Sequence, residues 1–262
     1  MIRYLRLYGH FLRFSFSRAM EFRFDFFFRI GMDTLWYAHH LAFFWLLYRH
    51  TPLLGGWNLD QMLVFAGGVF LVDAIQMTMT ANNTWMLPIY VNKGDLDYYL
   101  VRPVSSLFFL SLRDFAANSF INLLMAIGVF SWALARYPGP LGAGSIAIYV
   151  GLLLLGTLLH WSLHMIFILP VFWLHTSGGL RELFWSLDRY TQRPHGIFTG
   201  WVRRVLISLL PFALIVSFPT TALFDGLTWT LFAHLAGVTA CAFLLMVWIW
   251  KRGLRAYASA SS

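Results

Sequence analysis

Asn92-Lys93-Gly94-Asp95-Leu96-Asp97-Tyr98-Tyr99-Leu100-Val101-Arg102-Pro103-Val104 is a short polar and aromatic island between two long apolar runs. Gly94 can end a preceding helix, and Asp95 is a good N-cap for a new one. Leu96, Tyr99 and Leu100 then fall at i, i+3 and i+4, on one face. Pro103 disfavours helical backbone at Arg102 and ends the helix there. The expected product is a helix of about two turns, far below the ~20 residues that cross a bilayer. Between two membrane spans, such a helix is shaped for docking onto another protein.

The flanking runs set the class. Of 262 residues, 59% are hydrophobic and 11% charged, against about 25% charged in average soluble chains. With several apolar runs of roughly 20 residues, this reads as a polytopic all-α membrane protein. A transmembrane β-barrel would alternate over segments of ~10 residues, and these runs do not. Six spans are expected, near 26–49, 59–80, 107–135, 145–174, 203–224 and 229–250. Pro170 and Pro211 are candidate kinks. Residues 1–24 place Arg3, Arg6, His10, Arg13 and Ser17 against Tyr4, Leu5, Tyr8, Phe11 and Leu12. That is a basic amphipathic helix suited to the membrane interface. No secretory signal peptide is expected, because Arg6, Arg13 and Arg18 interrupt the first apolar stretch. With no repeat and no low-complexity segment, residues 1–262 read as one membrane domain.

Lys and Arg placement gives the orientation. On this six-span layout the arm to Arg29, the 81–106 loop with Arg113, residues 181–204 and the C-terminal tail carry seventeen of the nineteen Lys and Arg. Only Arg49 and Arg136 fall on the other side. Both termini, the 81–106 loop and the 175–202 loop are therefore expected in the cytoplasm. The net charge of +8 is a topology signal, and no nucleic-acid partner is implied. The 175–202 loop carries its own amphipathic helix, with Leu180, Leu183, Phe184 and Leu187 opposite Arg181, Glu182, Asp188 and Arg189. The approach to the last outer turn, Ser217 to Gly226, reads as a broken or re-entrant helix.

Chemistry is sparse. A phosphate-binding G-x-x-x-x-G-K-[ST] loop is absent; the only lysines are Lys93 and Lys251, each in the wrong setting. This chain is not expected to be an enzyme, nor to hold a cofactor or metal. Asp73 and Gln76 lie inside the second span, and Asn118 and Asn122 share a face of the third. Such residues line a substrate path or join helices by hydrogen bonds; the sequence leaves both readings open. His160 and His164, four apart, permit a metal site by spacing, but no H-E-x-x-H and no nearby carboxylate in sequence accompany them, so helix packing is the favoured reading.

The pattern G-x-L-D-x-x-L-x-R-P at Gly94 to Pro103 resembles the cytoplasmic loop of membrane subunits of type-2 ATP-binding-cassette (ABC-2) transporters. It is similar in particular to a bacterial permease family long left uncharacterised. Arg193-Pro194-His195-Gly196-Ile197-Phe198, with Trp201, Arg203, Pro211 and Pro219, is similar to that family's run into the fifth span. The resemblance implies a six-helix ABC-2 exporter fold with an interfacial elbow helix at 1–24, in the bacterial cytoplasmic (inner) membrane. It implies a permease that exports a substrate using ATP and Mg on separate ATPase subunits, two per complex, beside a second permease subunit, same or related; the 26 Phe, 12 Trp and 11 Tyr are compatible with a hydrophobic or lipid-like cargo, though aromatic belts explain many of them. The coupling helix would be Asp95 to Arg102, with Leu96, Tyr99 and Leu100 as the docking face and Asp97 and Arg102 as polar contacts. The alternatives are an integral-membrane lipid-modifying enzyme using Asp73 and the histidines, and a secondary transporter or channel, which inverted repeats would favour.

Overall fold

The computed structural model describes residues 7–11, 23–116, 119–176 and 178–257. Within them the regular structure is helical, save one isolated bridge, Leu54 to Trp57, that closes a turn. The helices are α1 (Arg23–Leu47), α2 (Leu59–Met79), α3 (Ala81–Lys93), α4 (Asp97–Leu100), α5 (Ser106–Leu112) and α6 (Phe120–Arg136). They continue with α7 (Ala143–Ile168), α8 (Val171–Leu174), α9 (Gly178–Asp188), α10 (Gly200–Arg204), α11 (Leu214–Asp225) and α12 (Trp229–Ala256). Three helical stretches are long and apolar enough to cross a membrane: Leu59–Met79, Ala143–Leu174 and Trp229–Ala256. A fourth candidate, Gly200–Leu209 with Pro211–Asp225, is bent by 78°. The interfacial arm expected at 1–24 lies mostly outside the described residues; in its helical turn 7–11, Phe11 packs edge-on against Phe109.

The centre of the molecule is α2. Asn58 and Gln61 close a reciprocal capping box at its start, each bond 3.0 Å long, which satisfies two helix-end donors. Met62, Val64, Phe65, Phe70 and Ala74 are fully buried. Around it stand α1, α6, α7 and α11. In lipid, apolar helices gain little from hiding apolar surface, so close approach of backbones has to hold them together. Gly156 supplies one such approach: a Cβ there would stand 2.2 Å from the Ile215 carbonyl oxygen.

The third expected span, 107–135, is not one helix. It is split into α5 and α6 by non-helical backbone at 113–116. Side chains and one carbonyl on α2 and α3 take up the freed backbone groups. Asn83 donates to the Asp114 carbonyl at 2.8 Å and accepts from the Asp114 amide at 2.9 Å. The Ala116 amide donates to Thr78 O, and the Thr78 hydroxyl reaches Ser119 O. Such partners let irregular backbone persist inside a membrane protein. The 81–106 stretch is also more ordered than a loop: α3 occupies its first half.

A second apolar cluster gathers at the α4 end, with Leu87, Val91, Leu96, Leu110, Leu169, Phe172 and Trp250. At the opposite end, aromatic contacts tie Trp57 to His195 and Phe224, and Phe224 to Tyr137. Gly196 there packs onto Gly55 so closely that a Cβ would stand 2.3 Å from the Gly55 carbonyl oxygen. This corrects the layout read from the sequence. Residues 50–58 and 195–197 touch, so they cannot lie on opposite membrane faces as that layout has them. From α8, α9 runs back along α7, and the chain reaches the Trp57 end by His195. The expected fifth span, 203–224, is instead the bent pair of α10 and α11. It leaves the Trp57 end, reaches Phe184 through Phe212, and returns to Trp57 at Phe224. The bend falls at Leu210–Pro211, ahead of the Ser217–Gly226 stretch. Pro170, as expected, interrupts helix, between α7 and α8.

Candidate functional site

Two places carry chemistry. The first is α4. Gly94 has φ +80 and ends α3 in the left-handed conformation that suits glycine. The helix that follows is shorter than expected, one turn from Asp97 to Leu100, and Leu96 rather than Asp95 sits at its N-cap with no side-chain cap bond. Leu96 is fully buried in the second apolar cluster. Tyr99 stacks into an aromatic box with Tyr90, at 5.2 Å, and Phe109, at 5.8 Å. Two guanidinium groups close that box: Arg113 lies 4.8 Å from the Tyr99 ring, and Arg102 lies 4.7 Å from that of Phe109. Such cation–π contacts contribute about 0.5–2 kcal/mol each. The outward edge is Tyr98, 72% exposed, and Val101, 83% exposed, with Leu100 at their flank. Leu96 and Tyr99 thus anchor the turn, while Tyr98 and Val101, absent from the sequence-derived face, are its free surface. The physical reason is length: a single turn bounded by two irregular segments does not follow the face drawn for two continuous turns.

The second place is a buried polar centre. His160 Nε2 stands 2.8 Å from Asp188 Oδ1, and the Thr191 hydroxyl donates to the same carboxylate oxygen at 3.2 Å. His164, one turn along α7, stacks on Phe184 with ring centroids 4.3 Å apart. Asp73 of α2 lies within electrostatic reach of His160, Asp188 and Asp33. Tyr37 of α1 donates to Asn122 of α6. His40 Nε2 is 3.1 Å from Gln192 Oε1. The centre therefore ties α1, α6, α7 and α9 together through polar side chains in the packed interior. Among the described residues, no three His, Cys, Asp or Glu side chains gather in a metal-binding group.

Of the sequence-predicted path residues, Asp73 joins this centre and Asn122 serves a helix-joining bond. Gln76 is committed elsewhere: its amide donates to Thr157 O at 2.8 Å and accepts from the Thr80 hydroxyl at 2.6 Å. Asn118 lies outside the described residues. Asp188 is the residue that sequence reasoning missed. It was set on the polar face of its helix, opposite Phe184, yet the two are four residues apart and share a face. That spacing was the available signal.

A family model described as an ABC-2 family transporter protein matches residues 34–261. No curated protein matches, and no solved structure matches.

Proposed function

The chain belongs to the ABC-2 transporter family, and on that premise we propose that it is the membrane permease subunit of an ATP-driven exporter. The observation that carries the coupling role is the exposed Tyr98–Val101 edge of α4, mounted on buried Leu96 and on the Tyr90–Tyr99–Phe109 box. A partner ATPase, binding ATP and Mg, docks on that edge. Asp97 and Arg102 lie beside it and supply polar contacts. Motion of the edge passes through Tyr99 and Phe109 into α5, and through Leu96 into the ends of α7 and α12. Asn83, gripping the break before α6, carries it further.

The α4 end faces the cytoplasm. Lys93, Arg102, Arg113, Lys251, Arg252 and Arg255 support this by the charge-bias rule, even with Arg193, Arg203 and Arg204 moved to the Trp57 end beside Arg49 and Arg136. Six passes follow: α1, α2, α6, α7, a fifth from α9 to about Pro194, and α12. The α10–α11 pair is a re-entrant element from the outer side. Both termini are then cytoplasmic, in the inner membrane of a bacterium. Two such subunits, alike or related, with two ATPase subunits, enclose the path, whose polar groups include Asp73; the cargo is hydrophobic or lipid-like.

The double substitution Tyr98→Asp with Val101→Asp tests the coupling role. The variant should insert and keep its thermal stability, because both side chains are exposed. Recovery of the ATPase with it should fall about ten-fold or more, as for a truncated interface hot spot. Nucleotide-driven transport should fall with it. Undiminished recovery and transport would refute the docking edge.

A further inference from the structure

Helix α12 packs along one side only. Leu235, Ala242, Met246 and Gly253 are buried. Its last buried turn sits on α8: the Trp250 and Phe172 ring centroids are 5.7 Å apart, and a Cβ at Gly253 would stand 2.3 Å from the Phe172 ring. That contact fixes the rotation of the helix end. At 3.6 residues per turn, Leu244, Trp248, Lys251, Arg252 and Arg255 then fall within about 100° of one another on the opposite side. All five are exposed. The outward stripe is therefore apolar as far as Trp248 and cationic beyond it. Helix α12 carries no Asp or Glu, and among the described residues no ion pair holds Lys251, Arg252 or Arg255. The Arg252 guanidinium lies 5.4 Å from the Trp248 ring, which ties the first cations to the end of the apolar stripe.

The charge-bias rule asks only for cations near the end of a span. It does not ask that they continue the lipid-facing stripe, as these do. Lys251 to Arg255 rises about 6 Å along the axis. That matches one headgroup layer, about 5–7 Å when a ~30 Å core is taken from a ~40–45 Å bilayer. A group that fits this face has to be an anion at the height of the cations with an apolar chain running back along Leu244 and Leu245. A phosphodiester headgroup with no cation of its own meets both demands, whereas a choline headgroup brings a positive charge against three others. We propose that the charged end of α12 is a docking face for an anionic diacyl phospholipid. Its phosphate rests on Lys251, Arg252 and Arg255, and its chains lie along Leu244 and Leu245. The proposal needs α12 to cross the membrane; it depends neither on an ATPase partner nor on which leaflet meets this end.

The test uses the full chain in phosphatidylcholine nanodiscs doped with phosphatidylglycerol that carries a photoreactive diazirine beside its ester. Cross-linked peptides should fall within residues 244–252, at about ten-fold or more the yield of phosphatidylcholine bearing the same diazirine. Each of Lys251→Gln, Arg252→Gln and Arg255→Gln should lower that yield about five-fold, as for one cation near an anionic surface, and Arg252→Lys should retain it. The variants should keep the parent's unfolding temperature, because the replaced side chains are exposed. Salt tests the parent directly: from about 0.15 M to 1 M the Debye length falls from about 8 Å to 3 Å. The phosphatidylglycerol excess should shrink over that range while the phosphatidylcholine yield holds. Equal labelling by the two probes would overturn the proposal, since the face would then hold only ordinary boundary lipid. So would phosphatidylglycerol label confined to Lys93–Arg113. Label at 244–252 that is lost in the assembled complex and replaced there by a cross-link to another subunit would assign the face to that subunit and overturn it too.

Discussion

Helices α2 and α12 are both apolar enough to cross a membrane, yet 78% of the apolar window of α2 is buried against 22% for α12. Phe65 on α2 is fully buried, whereas Leu244 on α12 is 66% exposed. Hydropathy therefore marks which segments enter lipid and says nothing of which become core. Lipid tails are as apolar as leucine, so the choice falls to shape and to polar contacts. Helix α2 has both. It passes close to α6 at Gly67, where a Cβ would stand 2.9 Å from the Phe130 Cα, and Thr78 at its end bonds the break beyond α5. On α12, Gly237 has nothing within 4 Å of its Cβ direction.

The largest contrast should come from polar groups. Asp188→Leu leaves His160 without its partner among packed helices, at a cost of about 3 kcal/mol. Thermal unfolding in detergent should show a sharp drop. The double variant with His160→Leu should recover part of it, since only the Thr191 hydroxyl then lacks its acceptor. Thr239 on α12 is the counter-case: its hydroxyl is buried with no partner among the described residues. Thr239→Val should be neutral or stabilising. If Asp188→Leu and Thr239→Val behave alike, the polar centre does not hold the helices.

Next come packing and close approach. In soluble cores Phe→Ala costs about 3–5 kcal/mol, part of it transfer from water. Between lipid-embedded states that part largely drops out, leaving the cavity term, so Phe65→Ala should cost about 2 kcal/mol. Leu244→Ala should stay within about 0.5 kcal/mol, as for exposed sites generally. Gly67→Ala should cost about 1–3 kcal/mol by overpacking against Phe130 backbone, while Gly237→Ala should be tolerated. Equal effects at the two glycines, measured as the shift in unfolding temperature, would erase the distinction between the two helices.

Much of this was readable beforehand, and the misses share one cause. Composition fixes the class, Gly94 stops a helix where expected, and α1, α2, α7 and α12 begin and end near the apolar runs. The family resemblance, carried by Gly94 to Pro103 and by the run from Arg193 to Pro219, holds for the chain. The layout that set 50–58 and 195–197 on opposite faces does not fit the Gly55–Gly196 contact, because counting loops assumes each apolar run crosses. The α10–α11 pair is apolar and long enough in total, but Leu210 and Pro211 turn it by 78°, and an element that returns to its own side shifts the parity of every loop before it. The course of α9 escaped for the mirror reason: with Arg181, Glu182, Asp188 and Arg189 it does not look apolar, yet it runs back along α7. His160 and Asp188 are 28 residues apart, so no local spacing links them. The Asn83–Asp114 clamp likewise joins two segments that only the fold brings together.

The last contrast belongs to the rim of the packed side, where the turn at His195 meets Gly55 and Trp57. Burial, helped by the positive charge of Arg203, pushes the His195 imidazole down to about 4, below an ordinary value of about 6.5. Its Nδ1 is buried without a partner among the described residues, and its amide donates to the Ser217 hydroxyl at 3.0 Å, which fixes the turn on α11. Between those two values the unfolded chain takes up a proton that the folded chain refuses. Stability should therefore be unaffected by this group above about pH 6.5, fall as pH drops toward 4, and level off below it. The variant His195→Gln keeps the backbone bond to Ser217 and removes the titration. Its unfolding temperature should change less than the parent's over that interval, and identical pH profiles would show that the rim is open to water rather than continuous with the packed layer around α2.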